Sequence, residues 1–240
     1  MSLDILVIIV ITSVIQSIFG VGVLLFGTPL LLLLGYDFIH AVSVLLPISI
    51  AINLIQIAKD HHSVDLDFYK KVLVYTIPFV VIFLFVVTRV QIHIGIIIGL
   101  FLLFVAAKDY SLKINKILNN LIRYETAYFI TMGIIHGLTN LGGSLLTAII
   151  HSKGYEKPVA RATVALSYAT FAAFQIATLL VSGYKVDIGL LGSGSYLIVS
   201  ITIFALTEKL VYMDLTSKNY AKYFAVFLTF SGVLLCVRSI

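Results

Sequence analysis

The chain has 240 residues, of which 60% are hydrophobic and only 11% are Asp, Glu, Lys or Arg. A soluble chain carries about 25% charged residues, and 16 basic plus 11 acidic side chains cannot dress the surface of a soluble protein of this size. Apolar stretches of eighteen or more residues recur throughout, so the composition excludes a soluble domain and indicates an all-α polytopic protein of the lipid bilayer.

The net charge of +5 does not indicate a nucleic-acid partner. The basic residues lie in short loops between apolar runs, where they set membrane orientation. Cys236 is alone, which leaves no disulfide framework and no cysteine metal site, and no cofactor is expected. The N-terminus lacks a basic n-region and does not read as a cleaved signal.

In chain order, the uncharged segments are Ile5–Tyr36, Phe38–Ala58, Val72–Thr88 and Val90–Ala107. A polar, helix-compatible connector follows over 108–122. Then come Thr126–Ser152, Ala162–Tyr184, Ile188–Thr207 and Tyr223–Val237. The first segment of each half is irregular. Ile5–Tyr36 is 32 residues long, roughly 48 Å as one helix at ~1.5 Å per residue, against a hydrocarbon core of ~30 Å. It is interrupted by Gly20, Gly22, Gly27 and Pro29, and Thr126–Ser152 is interrupted from Thr139 to Ser144. Each is either one tilted helix or two short helices folded back as a re-entrant hairpin.

The two halves are related. Gly35-Tyr36 and Ala41 match Gly154-Tyr155 and Ala160, while Gln56-Ile57-Ala58 matches Gln175-Ile176-Ala177 in the same register, 119 residues on. With a one-residue slip, Gly22 falls on Gly142. Loop charge then chooses between the two readings of the irregular segments. If both are hairpins, 13 of the 16 Lys and Arg residues lie on one side of the membrane and 3 on the other; if both cross once, the division is 9 against 7. Positive residues favour the cytoplasm in short loops, so the hairpin reading is preferred. It places both termini outside the cytoplasm, with a first repeat over 1–107 (hairpin 5–34, then three spans) and a second over 123–240 (hairpin 126–151, then three spans). Three crossings per half make the repeat inverted.

Irregular backbone at membrane depth must be satisfied by protein or by a watery cavity. The two hairpin tips are therefore expected to meet near the midplane and line a site. The N-terminal ends of the second hairpin arms offer amide donors that suit an anion. The substrate-binding candidates are Gly20, Gly22 and Thr28 at the first tip, with His136, Thr139, Asn140, Gly142, Gly143, Ser144 and Thr147 at the second. Asn53, Gln56 and Gln175 are added from neighbouring helices. No Lys, Arg, Asp or Glu is expected inside a span, so stabilisation falls to neutral donors, and His136 is the titratable candidate near a tip. Several of these polar residues and glycines equally suit helix packing. Asp60, His61, His62, Asp65 and Asp67 lack a ligand spacing and read as a solvated loop. Gly192-Ser193-Gly194-Ser195 lacks the lysine of a phosphate loop.

At these residues the sequence resembles the sulfite exporter TauE/SafE family, the toluene-sulfonate uptake permease group. In that family each half opens with a Phe-Gly-x-Gly-Gly-Gly type turn, an apolar run and Pro, then a Gly-turn-Ala segment. The first copy here reads Phe19-Gly20-Val21-Gly22-Val23-Leu24, Pro29, and Gly35 to Ala41. The second reads Thr139-Asn140-Leu141-Gly142-Gly143-Ser144, and Gly154 to Ala160. The resemblance implies a secondary transporter, an exporter in the main, that moves small sulfur-containing anions such as sulfite or organosulfonates across the plasma membrane, with proton linkage. The alternative is an uncoupled anion channel or facilitator. A membrane subunit without its own substrate, or an intramembrane enzyme, ranks below both: HExxH is absent, and His136 and Ser144 fall on opposite sides of the predicted break. The oligomeric state is left open.

Overall fold

A computed structural model describes residues 2–90, 94–108, 111–186, 193–211 and 217–238. Asp109 and Tyr110 of the connector, the start of the predicted segment Ile188–Thr207 and Gly192 of the Gly-Ser run lie outside the described residues.

The first half contains α1 (Leu3–Phe19), α2 (Val23–Leu34) and α3 (Phe38–Asp60). Then α4 (Leu66–Lys71) runs through a π-helical turn at Val72–Thr76 into α5 (Ile77–Arg89), followed by α6 (Ile94–Ala107). The amphipathic α7 (Leu112–Arg123) occupies the connector. The second half contains α8 (Glu125–Thr139), α9 (Gly143–Ser152), α10 (Lys157–Val181), α11 (Ser193–Val211) and α12 (Ser217–Arg238). Among the described residues, Phe38–Ser63, Leu66–Arg89 and Lys157–Val181 are long and apolar enough to cross a bilayer.

The molecule is arranged for an apolar solvent. Val7, Ile11, Ile82, Phe85, Leu100, Phe230 and Val237 are exposed, whereas Thr12, Gln16, Asn53, Gln56, His136, Asn140 and Gln175 are buried. In water such a surface would leave a large unprotected apolar area. In lipid it costs nothing, and the polar side chains must then satisfy one another inside.

Sequence features set the helix ends. Asp37 caps α3 by accepting from the His40 amide (2.9 Å), and Asp65 caps α4 by accepting from that of Phe68 (2.9 Å), as short carboxylates do at N-caps. Gly35 ends α2 and Gly154 follows α9, both left-handed at φ +97° and +64°. This conformation is open to glycine without strain, so the Gly-turn match between the halves marks the same turn twice.

The chain reverses between α1 and α2 and again between α8 and α9. Tyr36, just past α2, donates its hydroxyl to Asp4 at the start of α1 (2.7 Å) and holds that carboxyl below the usual range. In the second pair, Glu125 at the start of α8 meets Lys153 just past α9 (2.5 Å), with Lys71 as a second partner. Lys153 first and Lys71 second keep the Glu125 carboxyl below the usual range. Tyr128 also donates across this pair to the Leu145 carbonyl (2.7 Å).

The pairs open at opposite ends of the molecule. Beside the Asp4–Tyr36 contact lie the Ser2 amide on the Tyr196 hydroxyl (2.7 Å), Thr88 on Ser182 (3.2 Å) and Arg238 on the Leu33 carbonyl. At the far end of α3 lie Lys59, Asp65, Arg161 and Glu208. The Asp65 amide donates there to the Thr163 hydroxyl (2.9 Å). Helix α8 is drawn tightly onto α5: a Cβ on Gly133 would sit 2.4 Å from the Thr76 carbonyl oxygen and one on Gly137 2.7 Å from that of Val80. Small residues four apart permit such close approach.

Candidate anion site

The two breaks open alike, 120 residues apart, and then differ in backbone at Gly22 (φ −177°, ψ −55°) and Gly142 (φ −58°, ψ −16°). Gly20 and Asn140 are both left-handed (φ +76° and +62°), and each amide returns to the carbonyl four residues earlier, Gln16 or His136, at 2.8 Å. Asparagine is among the few non-glycine residues that tolerate this region. Two residues on, a Cβ at Gly22 would lie 2.7 Å from the Gln16 nitrogen and 2.8 Å from the Thr12 carbonyl oxygen. A Cβ at Gly142 would lie 2.5 Å from the His136 Cβ and 2.7 Å from the Met132 carbonyl oxygen. Glycine is required at both because the reversing chain presses its backbone onto the preceding helix. Thr12, Gln16, Gly20 and Gly22 thus occupy the places that Met132, His136, Asn140 and Gly142 occupy in the other half.

Each break faces a glutamine on a long helix. At the first, Gln16 Nε2 donates to Asn53 Oδ1 (3.1 Å) and Gln56 Oε1 (3.3 Å), while its Oε1 accepts from the Val23 amide at the start of α2 (2.9 Å). Asn53 completes its bonding onto Ser49. At the second, His136 Nε2 lies 3.1 Å from Gln175 Oε1 and its ring packs on Phe171, with centroids 4.5 Å apart. Thr28 of α2 accepts from Asn140 Nδ2 (2.9 Å). Thr139 is bonded to the Ile135 carbonyl and the Leu141 amide, and Ser144 turns back to the Leu141 carbonyl. Gly143 abuts Tyr168: a Cβ there would overlap the phenol.

The candidates therefore fall into two sets. Gly20, Gly22, Asn53 and Gln56 gather around Gln16. Thr28, His136, Thr139, Asn140, Gly142, Gly143, Ser144 and Gln175 gather at the second break, and Thr147, one turn further along α9, faces the cavity at the first. In place of the expected meeting of the two breaks, each break has a contact or a shared cavity with the second helix of the other pair. Asn140 reaches Thr28 in α2, and Gly20 shares a cavity with Thr147 of α9.

Four buried side-chain atoms in these sets have no hydrogen-bond partner: Gln56 Nε2, His136 Nδ1, Asn140 Oδ1 and Gln175 Nε2. An unsatisfied buried polar group costs ~1–3 kcal/mol, so this concentration at the two breaks is unfavourable unless something else binds there. The chain takes up part of its own amide supply, since Val23 donates to Gln16, Ser144 to Leu141 and Leu145 to Gly142. Gln56 Nε2 and Gln175 Nε2 are side-chain amide donors left open beside the breaks.

A cavity of about 360 Å³ runs inward from exposed residues at the Lys- and Arg-rich end to the first break, within the ~300–1,000 Å³ of small-molecule sites. Gly20, Thr147, His151, Tyr155, Lys157 and Arg161 are among its lining residues. Two sequence expectations are corrected here. Arg161 was expected in a loop, but α10 starts at Lys157 and carries it one turn into the helix. Its side chain is only 10% exposed and is ion-paired to Glu208. Glu208 in α11, 5% exposed, also pairs with Lys59, so neither a cation nor a carboxylate is absent from the buried interior. Gln16, Arg161 and Glu208 are absent from the sequence-derived set. Pro158 in the first turn of α10 is the signal for Arg161, and the 120-residue spacing to His136 is the signal for Gln16.

The profile of the sulfite exporter TauE/SafE family matches residues 5–235. No curated protein and no solved structure matches the chain. A match across nearly the whole length covers both breaks, both facing glutamines and the cavity that reaches the first break. The chain belongs to the sulfite exporter TauE/SafE family of membrane transporters.

Proposed function

We propose that this protein is a secondary transporter, chiefly an exporter, of small sulfur-containing anions such as sulfite or organosulfonates across the plasma membrane. The breaks at Gly20–Gly22 and Asn140–Gly142 are the tips of re-entrant hairpins in an inverted repeat. The Lys- and Arg-rich end faces the cytoplasm and both termini face outward. The single observation that carries the reading is the concentration of unpartnered, fully buried polar atoms at the two breaks, in a protein whose family moves such anions. Gln56 Nε2 and Gln175 Nε2 are neutral donors. They suit an oxyanion that must bind and leave again, and rocking of the two halves exposes the breaks to each side in turn.

Binding is tested by thermal-shift measurements on the purified protein with sulfite, sulfate, thiosulfate, sulfoacetate and taurine, followed by flux of the stabilising anion in proteoliposomes. Stabilisation by one or more sulfur anions with saturable counterflow is expected. Flux without counterflow would assign an uncoupled channel, and no stabilisation by any of them would remove the anion site.

His136 is the proton carrier in this reading. With Nε2 engaged by Gln175, its unpartnered Nδ1 is the atom that takes up the proton. His136→Gln places at the second break the residue that Gln16 supplies at the first, which keeps a partner for Gln175 but does not titrate. Flux that no longer responds to a pH gradient is expected, with the protein still folded; a surviving pH response would place coupling elsewhere.

A further inference from the structure

Arg161 belongs to two structures at once. It lines the cavity that reaches Gly20, and its guanidinium is ion-paired to Glu208, which also holds Lys59. The space that a side chain at Gly20 would take is bounded by the Arg161 Cγ and the unpartnered Gln56 Nε2, each 3.8 Å from the ideal Cβ position. A neutral amide donor and an arginine stem thus flank one small volume at the inner end of a cavity open to the Lys- and Arg-rich end. Glu208 is a carboxylate drawn from α11, and it satisfies the guanidinium with the charge and oxygen geometry that a sulfite or sulfonate group would bring. Arginine's planar fork suits two oxygens of such a group at once.

We propose that Arg161 is the cationic ligand of the transported anion in this cavity, and that the Glu208 carboxylate is the internal anion it gives up when substrate enters. The proposal rests on the reading of the first break as part of the anion's path. Charge is conserved in the exchange: the substrate's negative charge replaces that of Glu208 on Arg161, and Glu208 keeps Lys59, which is half exposed. The exchange also releases α11 from α10. Helix α11 keeps its packing along α1 and α3, so the exchange costs the fold only this one cross-helix ion pair. A buried ion pair is costly to keep for stability alone, whereas one that trades partners with a substrate serves selection by charge.

The test uses the full-length protein in detergent, with sulfite, thiosulfate and sulfoacetate as probes and binding measured by calorimetry. Glu208→Gln removes the competing carboxylate and is expected to tighten binding by roughly tenfold or more, the scale of one charge-assisted bond. The double variant R161Q/E208Q removes both charges, so no buried ion is left unpaired and the fold is kept, checked by its thermal midpoint. It is expected to bind at least roughly tenfold more weakly than wild type. A double variant that binds as wild type does would make Arg161 a structural partner of Glu208 and overturn the proposal. Unchanged or weaker binding by Glu208→Gln would overturn the exchange. Wild-type protein that binds none of the probes would overturn the underlying anion reading together with this one.

Discussion

Replacing Gly22 by alanine is expected to destabilise the protein by ~1–3 kcal/mol or more, the range for overpacking a tight interior, and Gly142→Ala should cost about as much. The added methyl at Gly22 meets the Gln16 nitrogen and Thr12 carbonyl oxygen; at Gly142 it meets the His136 Cβ and Met132 carbonyl oxygen. Most of these are backbone atoms of the preceding helix, so relief requires prising the two arms apart, and no rotamer change suffices. Thermal melts of both variants in detergent check the expectation. Similar losses would follow from a comparable close approach at both breaks. A variant as stable as wild type would mean that the chain does not fold back closely at that break, and the paired-tip architecture would fail with it. Gly154 serves as a control: no atom lies within 4 Å of its ideal Cβ position, so the cost of Gly154→Ala is only that of its left-handed backbone.

The second large effect is on transport. Gly20→Asn introduces at the first break the residue found at the equivalent position of the second. Asn140 shows that asparagine accepts this left-handed conformation here (φ +62° against +76° at Gly20). The backbone is therefore expected to hold and the thermal midpoint to move little. The new side chain, however, enters the volume between Gln56 Nε2 and Arg161. Anion flux is expected to fall by at least roughly tenfold, the scale of one charge-assisted contact, with the loss in KM at least as much as in kcat. Unchanged flux from a folded variant would place the anion away from the first break. Together with the glycine-to-alanine pair, this variant separates the two duties of the break, since Gly22 is needed for close approach and Gly20 for open space.

Much of the candidate site was legible because membrane sequence is sparing with polar groups. Gln56, Gln175, His136 and Asn140 stand out in apolar segments, and all four are buried with an unpartnered polar atom. Gln16 was less visible, since a single glutamine in an apolar run carries no spacing signal until the repeat is aligned through the breaks themselves. Arg161 and Glu208 were hidden by the habit of ending a span at its first charge. Both sit one turn inside a helix end, where the sequence alone does not separate a snorkelling side chain from one turned inward to a partner.

By itself the sequence indicated the solvent and a break near the start of each half, and it carried the resemblance that the family profile then showed. These follow from composition and from glycine spacing, which report on local backbone and transfer energy. Only the tertiary structure decided that Gln16 and His136 play matching parts against Gln56 and Gln175, that Asn140 reaches Thr28, and that Arg161 faces both a carboxylate and a cavity. Those facts depend on which faces of helices far apart in sequence come together. That choice is made by close packing at glycines and by the need of buried polar groups to find one another, and neither is written in any single segment.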